Sequence, residues 1–288
     1  MAHEAGNRLI SAIRKQNEKT VYFCAAENIS PNVAVHEIRK SFKRIRALLH
    51  FYDEQPEPKI QEFKQKVKES GRELSALRES FVNVQLFERE ITGNPLVAER
   101  KLRTAREELI QKNHRLLETK FAGNRLCESI RQVIKKFNNY LESGAAIPSK
   151  KHLFGQAVLT FQKSFVIYQS MPAGQPPEEM HELRKKMKRL WYQLDFLRFL
   201  QPRFFRLKID QLNHISEHLG EDHDLHVFLQ ELKKDYLSFD DEEMQILEKQ
   251  VLHLRDINLR KLNPRLNQFF SESPEIFEDK MRKIFKVE

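Results

Sequence analysis

Apolar positions along this chain fall at helical spacing, and the breaks between the periodic stretches predict a succession of helices. Leu9, Ile10, Ile13, Tyr22, Phe23 and Ala26 set a first helix over residues 9–26, with a polar middle. Ser30-Pro31 supplies an N-cap and a proline at the first helical position. The helix that starts there runs through His36 to about Tyr52, and Gln55-Pro56-Glu57-Pro58 ends it. A third helix is predicted from Ile60 to about Phe87, before the break Gly93-Asn94-Pro95. Charged periodic stretches follow over about 95–121 and 124–142. After Ser143-Gly144-Ala145-Ala146-Ile147-Pro148 the pattern restarts, with an aromatic-rich helix over 153–168 and the turn-forming segment 171–177. A helix to about Leu200, stopped by Pro202, and two more over 209–235 and 241–262 complete the set. No alternating strand pattern emerges, so the fold class is all-α.

The restart is a repeat. Val35-His36-Glu37-Ile38-Arg39-Lys40-Ser41-Phe42-Lys43-Arg44-Ile45-Arg46 returns 145 residues later as Met180-His181-Glu182-Leu183-Arg184-Lys185-Lys186-Met187-Lys188-Arg189-Leu190-Trp191. At the same offset Leu74 matches Leu219, Glu79 matches Asp224 and Val82 matches Val227. An unbroken offset over this length implies a duplicated multi-helix unit. The expectation is one domain over 1–288, with repeats of about 1–145 and 146–288 packed about a pseudo-two-fold axis.

On a helical wheel at about 100° per residue, each copy separates into two stripes. Ile38, Phe42, Ile45, Leu49 and Tyr52 share one face, and Leu183, Met187, Leu190, Leu194 and Leu197 share the equivalent one. His36, Arg39, Lys40, Lys43 and Arg46 lie opposite, as do His181, Arg184, Lys185 and Lys188. Like charges at this spacing destabilise a helix by a few tenths of a kcal/mol per pair. The single acids Glu37 and Glu182 lie about 100° from the neighbouring histidine and are expected to leave the stripe unneutralised. The repeated polar positions therefore point to an anion site.

Composition agrees with both readings. Gly is scarce, at 8 of 288 residues, and the formal net charge is +9, so helix and an anionic partner are favoured. Cys24 and Cys127 have no metal-type spacing, and buried thiols in a reduced compartment are expected. The N-terminal stretch has no signal-peptide core, and no apolar run reaches the roughly 18 residues of a membrane span. A cytoplasmic protein with no membrane partner is the expectation.

Cations on successive turns stand every ~5 Å along a helix, which suits a linear polyanion. No glycine-rich nucleotide loop is present. Apart from Trp191 the stripes lack the aromatic residues that stack single-stranded bases. A chain of phosphates needs only cations and donors.

The duplicated His-Glu-(Ile/Leu)-Arg-Lys-x-x-Lys-Arg pattern resembles the CHAD family, the conserved histidine α-helical domain. The segments Leu74-Ser75-Ala76-Leu77-Arg78-Glu79 and Leu219-Gly220-Glu221-Asp222-His223-Asp224 carry the same resemblance, which covers essentially the whole chain. It implies an all-α fold whose basic helices line a central groove or pore, bind inorganic polyphosphate and associate with polyphosphate granules. By that resemblance His36, Arg39, Lys40, Lys43, Arg44 and Arg46 line one side. His181, Arg184, Lys185, Lys188 and Arg189 line the other, with Arg78 and His223 as secondary positions. Trp191 stands where the family has Arg, so the second half is expected to bind more weakly; Ser75 replaces the family's Gly in the first half and His223 its Arg in the second.

His214, His218, His223 and His226 cluster beside Asp222 and Asp224, and His214 with His218 has metal-ligand spacing. Surface or capping roles account for these histidines better, so no metal or other cofactor is assigned. Lys40 and Lys185 stand where a zinc protease motif needs its second His. No paired carboxylates are evident beside the basic stripes to hold Mg²⁺. The expectation is non-catalytic polyphosphate binding. RNA or DNA backbone binding, and polyphosphate or triphosphate hydrolysis, stand as alternatives. Titration of the two repeat histidines is expected to strengthen binding as pH falls.

Overall fold

A computed structural model of the chain describes residues 2–53, 57–122, 125–145 and 147–286. These form α1 (Ala2–Ala25), α2 (Pro31–Leu49), α3 (Pro58–Leu86), α4 (Glu99–Leu117), α5 (Arg125–Glu142), α6 (Lys150–Gln169), α7 (Pro177–Leu197), α8 (Pro202–Leu232), α9 (Asp241–Phe269) and α10 (Pro274–Phe285). Short 3₁₀ turns follow α2 (His50–Tyr52) and α8 (Asp235–Leu237). Wide π turns extend α3 (Phe87–Ile91) and α4 (Glu118–Ala122). No strand occurs among the described residues. Gln55, Pro56, Asn124 and Ala146, which fall in or beside the expected breaks, lie outside the described residues.

Proline opens α2, α3, α7, α8 and α10. Its fixed φ suits the first helical turn, and its missing N–H removes a donor that would have no partner there. Side-chain caps serve others. Ser149 accepts from the His152 amide, and Asp240 with Glu243 forms a reciprocal capping box at α9. Ser30 occupies the N-cap position of α2, but its hydroxyl makes no capping bond.

Three boundaries differ from the sequence reading. Pro202 starts α8 instead of merely ending α7, because a proline that blocks one helix is well placed to open the next. α9 continues through Pro264 to Phe269. An interior proline costs about 3 kcal/mol. Burial of Leu262, Leu266 and Phe269 offsets this at about 1.5–3 kcal/mol each. The twelve-residue α10, too short to stand out in the sequence, is held by Phe277 stacked on Phe161, with ring centroids 4.2 Å apart.

Both predicted apolar stripes are buried: Ile38, Phe42, Ile45, Leu49 and Tyr52 from the first half, and Leu183, Met187, Leu190, Leu194 and Leu197 from the second. They belong to a core that draws on both halves, and a second core joins the end of α3 to α4, α8 and α9. Helix pairing follows the same order in each half. α1, α2, α3 and α4 pack successively, as do α6, α7, α8 and α9, and the halves meet where α2 packs on α7 and α3 on α8. Cys24 and Cys127 are buried free thiols.

Candidate anion site

Burying the apolar stripes of α2 and α7 leaves their polar stripes facing the space between these helices and α3 and α8. Two cavities open there, of about 440 and 410 Å³. Arg39, Lys43, Arg184 and Lys188 line both, together with Glu79, Tyr192 and His223. His36, Lys40 and Arg78 line only the first, with Trp191 and Asp224. Arg46, His181, Lys185 and Arg189 line only the second, with His50 and Lys186. Every residue assigned from the sequence therefore borders a cavity except Arg44. Its guanidinium lies over the Tyr192 ring at 5.5 Å, so it packs against the aromatic side chain.

The two central arginines differ. Arg39 Nη1 donates to the Gly71 carbonyl at 3.2 Å and to the Ser75 hydroxyl, which ties it to α3. Position 75 corresponds to Gly220 in the other half. A Cβ there would stand 3.7 Å from Arg184 Nη2, so Arg184 runs directly along α8. Arg184 makes no hydrogen bond among the described residues, and its Nε is buried without a partner. The two arginines thus differ in what holds them: a serine hydroxyl and a carbonyl fix Arg39, and no hydroxyl stands at the equivalent position for Arg184.

None of Arg39, Lys43, Arg184 and Lys188 forms an ion pair among the described residues, although Glu79 and Asp224 stand nearby. Burial depresses the affinity of all four groups for protons, and repulsion from neighbouring cations adds to it at Lys43, Lys188 and, more weakly, Arg39. Lys43 is pushed well below the usual lysine range, first by burial and then by Arg184, Arg39 and Lys188. Lys188 is lowered to about 8 by burial and Arg184. Arg39 is lowered to about 10, by burial against the opposing pull of Glu79. Burial raises the Asp224 carboxyl, with Arg184 opposing. The site is an unneutralised charge cluster held together by the core beneath it.

Several sequence expectations are corrected by this geometry. Carboxylates do stand beside the basic stripes. Glu79 and Asp224 come from α3 and α8, and their matched positions in the repeat were the available signal. Glu37 and Glu182 do reach the stripe, because residues three apart are helix neighbours. Lys40 Nζ lies 3.5 Å from Glu37 and Lys185 Nζ 2.6 Å from Glu182. Tyr192, Lys186 and His50 were not singled out from the sequence, since each reaches the cavities from the margin of its stripe. The histidines of residues 214–226 disperse. His218 Nδ1 contacts Asn258 at 2.7 Å, His226 contacts Gln230, and His223 packs on the His181 ring at 4.5 Å. No group of three His, Cys, Asp or Glu side chains suited to a metal converges among the described residues.

The expected pH response moves from histidine to lysine. Burial lowers His36 and His181 below 6.5, with Arg78 the next cause at His36 and Lys185 at His181. His223 falls to about 3 by burial, then Arg184. These rings are neutral at pH 7. An incoming anion favours the charged form of Lys188 and Lys43 and raises their depressed pKa values, so binding takes up protons. Affinity is therefore expected to fall as pH rises from 7 to 9, approaching about tenfold per pH unit for each linked proton. Calorimetry at pH 8 in buffers of different ionisation enthalpy checks this; an affinity flat from pH 7 to 9 counts against it.

A helical domain with a cation cluster at the meeting of two repeated helix pairs is the class that these observations define. The CHAD domain model matches residues 9–233, and the chain belongs to that family. Two solved structures share the fold. PptA from Streptomyces chartreusis has a TM-score of 0.67 at 12% identity, covering 92% of this chain and 99% of that one. The CHAD domain from the plant Ricinus communis has a TM-score of 0.53 at 16% identity, covering 98% and 92%. No curated protein sequence matches the chain. Among the described residues, no helix is long and apolar enough to cross a membrane.

Proposed function

We propose that the protein binds inorganic polyphosphate between α2 and α7, with cations from both halves contacting successive phosphates. The observation that carries this reading is the quartet Arg39, Lys43, Arg184 and Lys188, half-buried without ion-pair partners among the described residues and shared by two adjoining cavities. Four half-buried cations with only Glu79 and Asp224 nearby are unfavourable alone and favourable once a polyanion supplies the missing charge. Two cavities joined through the same cations suit an extended anion better than one compact phosphate. Family membership supports the same ligand. On this reading the protein acts in the cytoplasm, binds without hydrolysing its ligand, and is targeted to polyphosphate granules.

Trp191, the chain's single tryptophan, borders the first cavity, and Lys188 Nζ lies 4.5 Å over its ring. Its fluorescence provides a direct titration signal. Long-chain polyphosphate is expected to displace RNA at matched phosphate concentration, with little phosphate released in Mg²⁺ or Mn²⁺. Equal competition by RNA would support backbone recognition of nucleic acid instead, since phosphate contacts alone do not discriminate. Sustained phosphate release would support the hydrolase reading. Salt weakens either complex through counterion release, so the competition is run at fixed ionic strength.

A further inference from the structure

At the rim of the second cavity, where α2 ends, His50, Asp53 and Lys64 form a cluster that polyphosphate binding alone does not require. His50 Nδ1 lies 2.5 Å from Asp53 Oδ2, and Lys64 contacts the other carboxylate oxygen. Two lone pairs would repel at that separation, so the proton lies between Nδ1 and the carboxylate. Lys64 Nζ, 3.0 Å from Nδ1, is directed to Asp53. The other ring nitrogen, Nε2, then carries a lone pair, and it has no hydrogen-bond partner among the described residues.

A phosphate oxyanion needs donors around it, and a lone pair directed at it is unfavourable for simple binding. A lone pair directed at phosphorus is a nucleophile, and a carboxylate on the far nitrogen is the arrangement that orients and stabilises such an imidazole. We propose that His50 Nε2 is a phosphoryl acceptor for a polyphosphate bound in the second cavity. The Nε2–P bond forms as a bridging P–O bond breaks. The electron pair passes to the departing polyphosphate oxygen, beside Arg46 and Arg189. The Nδ1 proton stays on the hydrogen bond to Asp53, which stabilises the phosphorylated ring. The product is one phosphohistidine and a polyphosphate shorter by one phosphate; no oxidant, reductant or further reactant is needed. Burial, then Arg189 and Lys64, opposes protonation and holds the ring at about 4, so the neutral nucleophile is the resting form. Asp53 is a positioning residue, kept ionised near 2 by its contacts with His50 and Lys64 against the opposing effect of burial.

The inference rests on the polyphosphate reading for its donor, and the experiment separates the two. The full chain is incubated with long-chain polyphosphate and, separately, with phosphoramidate, which phosphorylates exposed nucleophilic histidines without a polyphosphate site. Intact mass at neutral pH counts phosphoryl groups, and lability in acid with survival in alkali identifies the P–N bond. Wild type is expected to gain one group from polyphosphate and, with phosphoramidate, a group that peptide mapping places on His50. His50→Asn is expected to lose it, while His114→Asn and His253→Asn, outside both cavities, retain it. Asp53→Asn, which keeps the shape but can donate to Nδ1 and so move the ring proton to Nε2, is expected to label at least about tenfold more slowly. Its Trp191 titration by polyphosphate is expected to match wild type, a split that a purely structural role would not give. Tight polyphosphate binding with no label from either donor overturns the inference and leaves the binding reading intact. A polyphosphate-derived label that persists in His50→Asn also overturns it. Labelling of His50 by phosphoramidate without polyphosphate binding supports the nucleophile and overturns the binding reading.

Discussion

Reversing both central arginines, Arg39→Glu with Arg184→Glu, is expected to abolish polyphosphate binding in a protein that remains helical. Each arginine can give a ligand charge-assisted hydrogen bonds worth about 1.5–3 kcal/mol, and reversal adds repulsion. The combined loss is at least about 3 kcal/mol, more than a hundredfold in affinity. The single changes should divide this effect unequally. Arg184 has no protein hydrogen bond, so Arg184→Gln is expected to affect binding far more than stability. Arg39 holds the Gly71 carbonyl and the Ser75 hydroxyl, so Arg39→Gln is expected to lower the melting temperature as well. Glutamine is the cleaner single replacement at 184, because a glutamate there would face the buried Asp224 carboxyl. Gly220→Ser tests the cause of the difference. It offers Arg184 the hydroxyl that Ser75 gives Arg39, and the space accepts it. Serine also favours helix over glycine by a few tenths of a kcal/mol. A more stable protein with weaker binding is the expected outcome. A folded double Glu variant with wild-type affinity would sink the site assignment.

That asymmetry marks where sequence reading stops. The helices were legible because apolar residues recur at helical spacing and prolines punctuate them. The cation stripe was legible because a buried apolar stripe leaves the opposite face of the same helix for polar chemistry. What each cation touches depends on its neighbours in space. Glu79 and Asp224 each lie 40 residues along the chain from Arg39 and Arg184 respectively, and only their matched offset connected them to the site. Ser75 and Gly220 read as deviations from a family pattern, whereas in the fold one captures an arginine and the other leaves its counterpart free. Arg44 follows the same limit in reverse, since position in the motif could not show that Tyr192 lies beneath it. The His50 cluster was invisible for a related reason: the π-free 3₁₀ turn that ends α2 sets Asp53 against the ring, and Lys64 arrives from α3.

Lys43→Met is expected to make the free protein more stable and the complex weaker. Lys43 lies among Arg39, Arg184 and Lys188, and burial with their repulsion holds it well below the lysine value expected of an unfolded chain. A group whose pKa is lower folded than unfolded binds fewer protons in the folded state. Its penalty is full below the folded pKa and fades as pH rises toward the unfolded value near 10.5. Methionine keeps the unbranched shape and removes the charge. Relief of about 1–3 kcal/mol is expected at pH 7, seen as a rise of several degrees in melting temperature. Wild type should close part of that gap as pH is raised from 7 toward 10, because its lysine discharges and the variant has nothing to discharge. Polyphosphate should reverse the order, stabilising wild type by mass action and the variant much less. A variant less stable than wild type at every pH would show that Lys43 is held by attractive contacts, and the unneutralised cluster at the centre of the binding argument would fail with it.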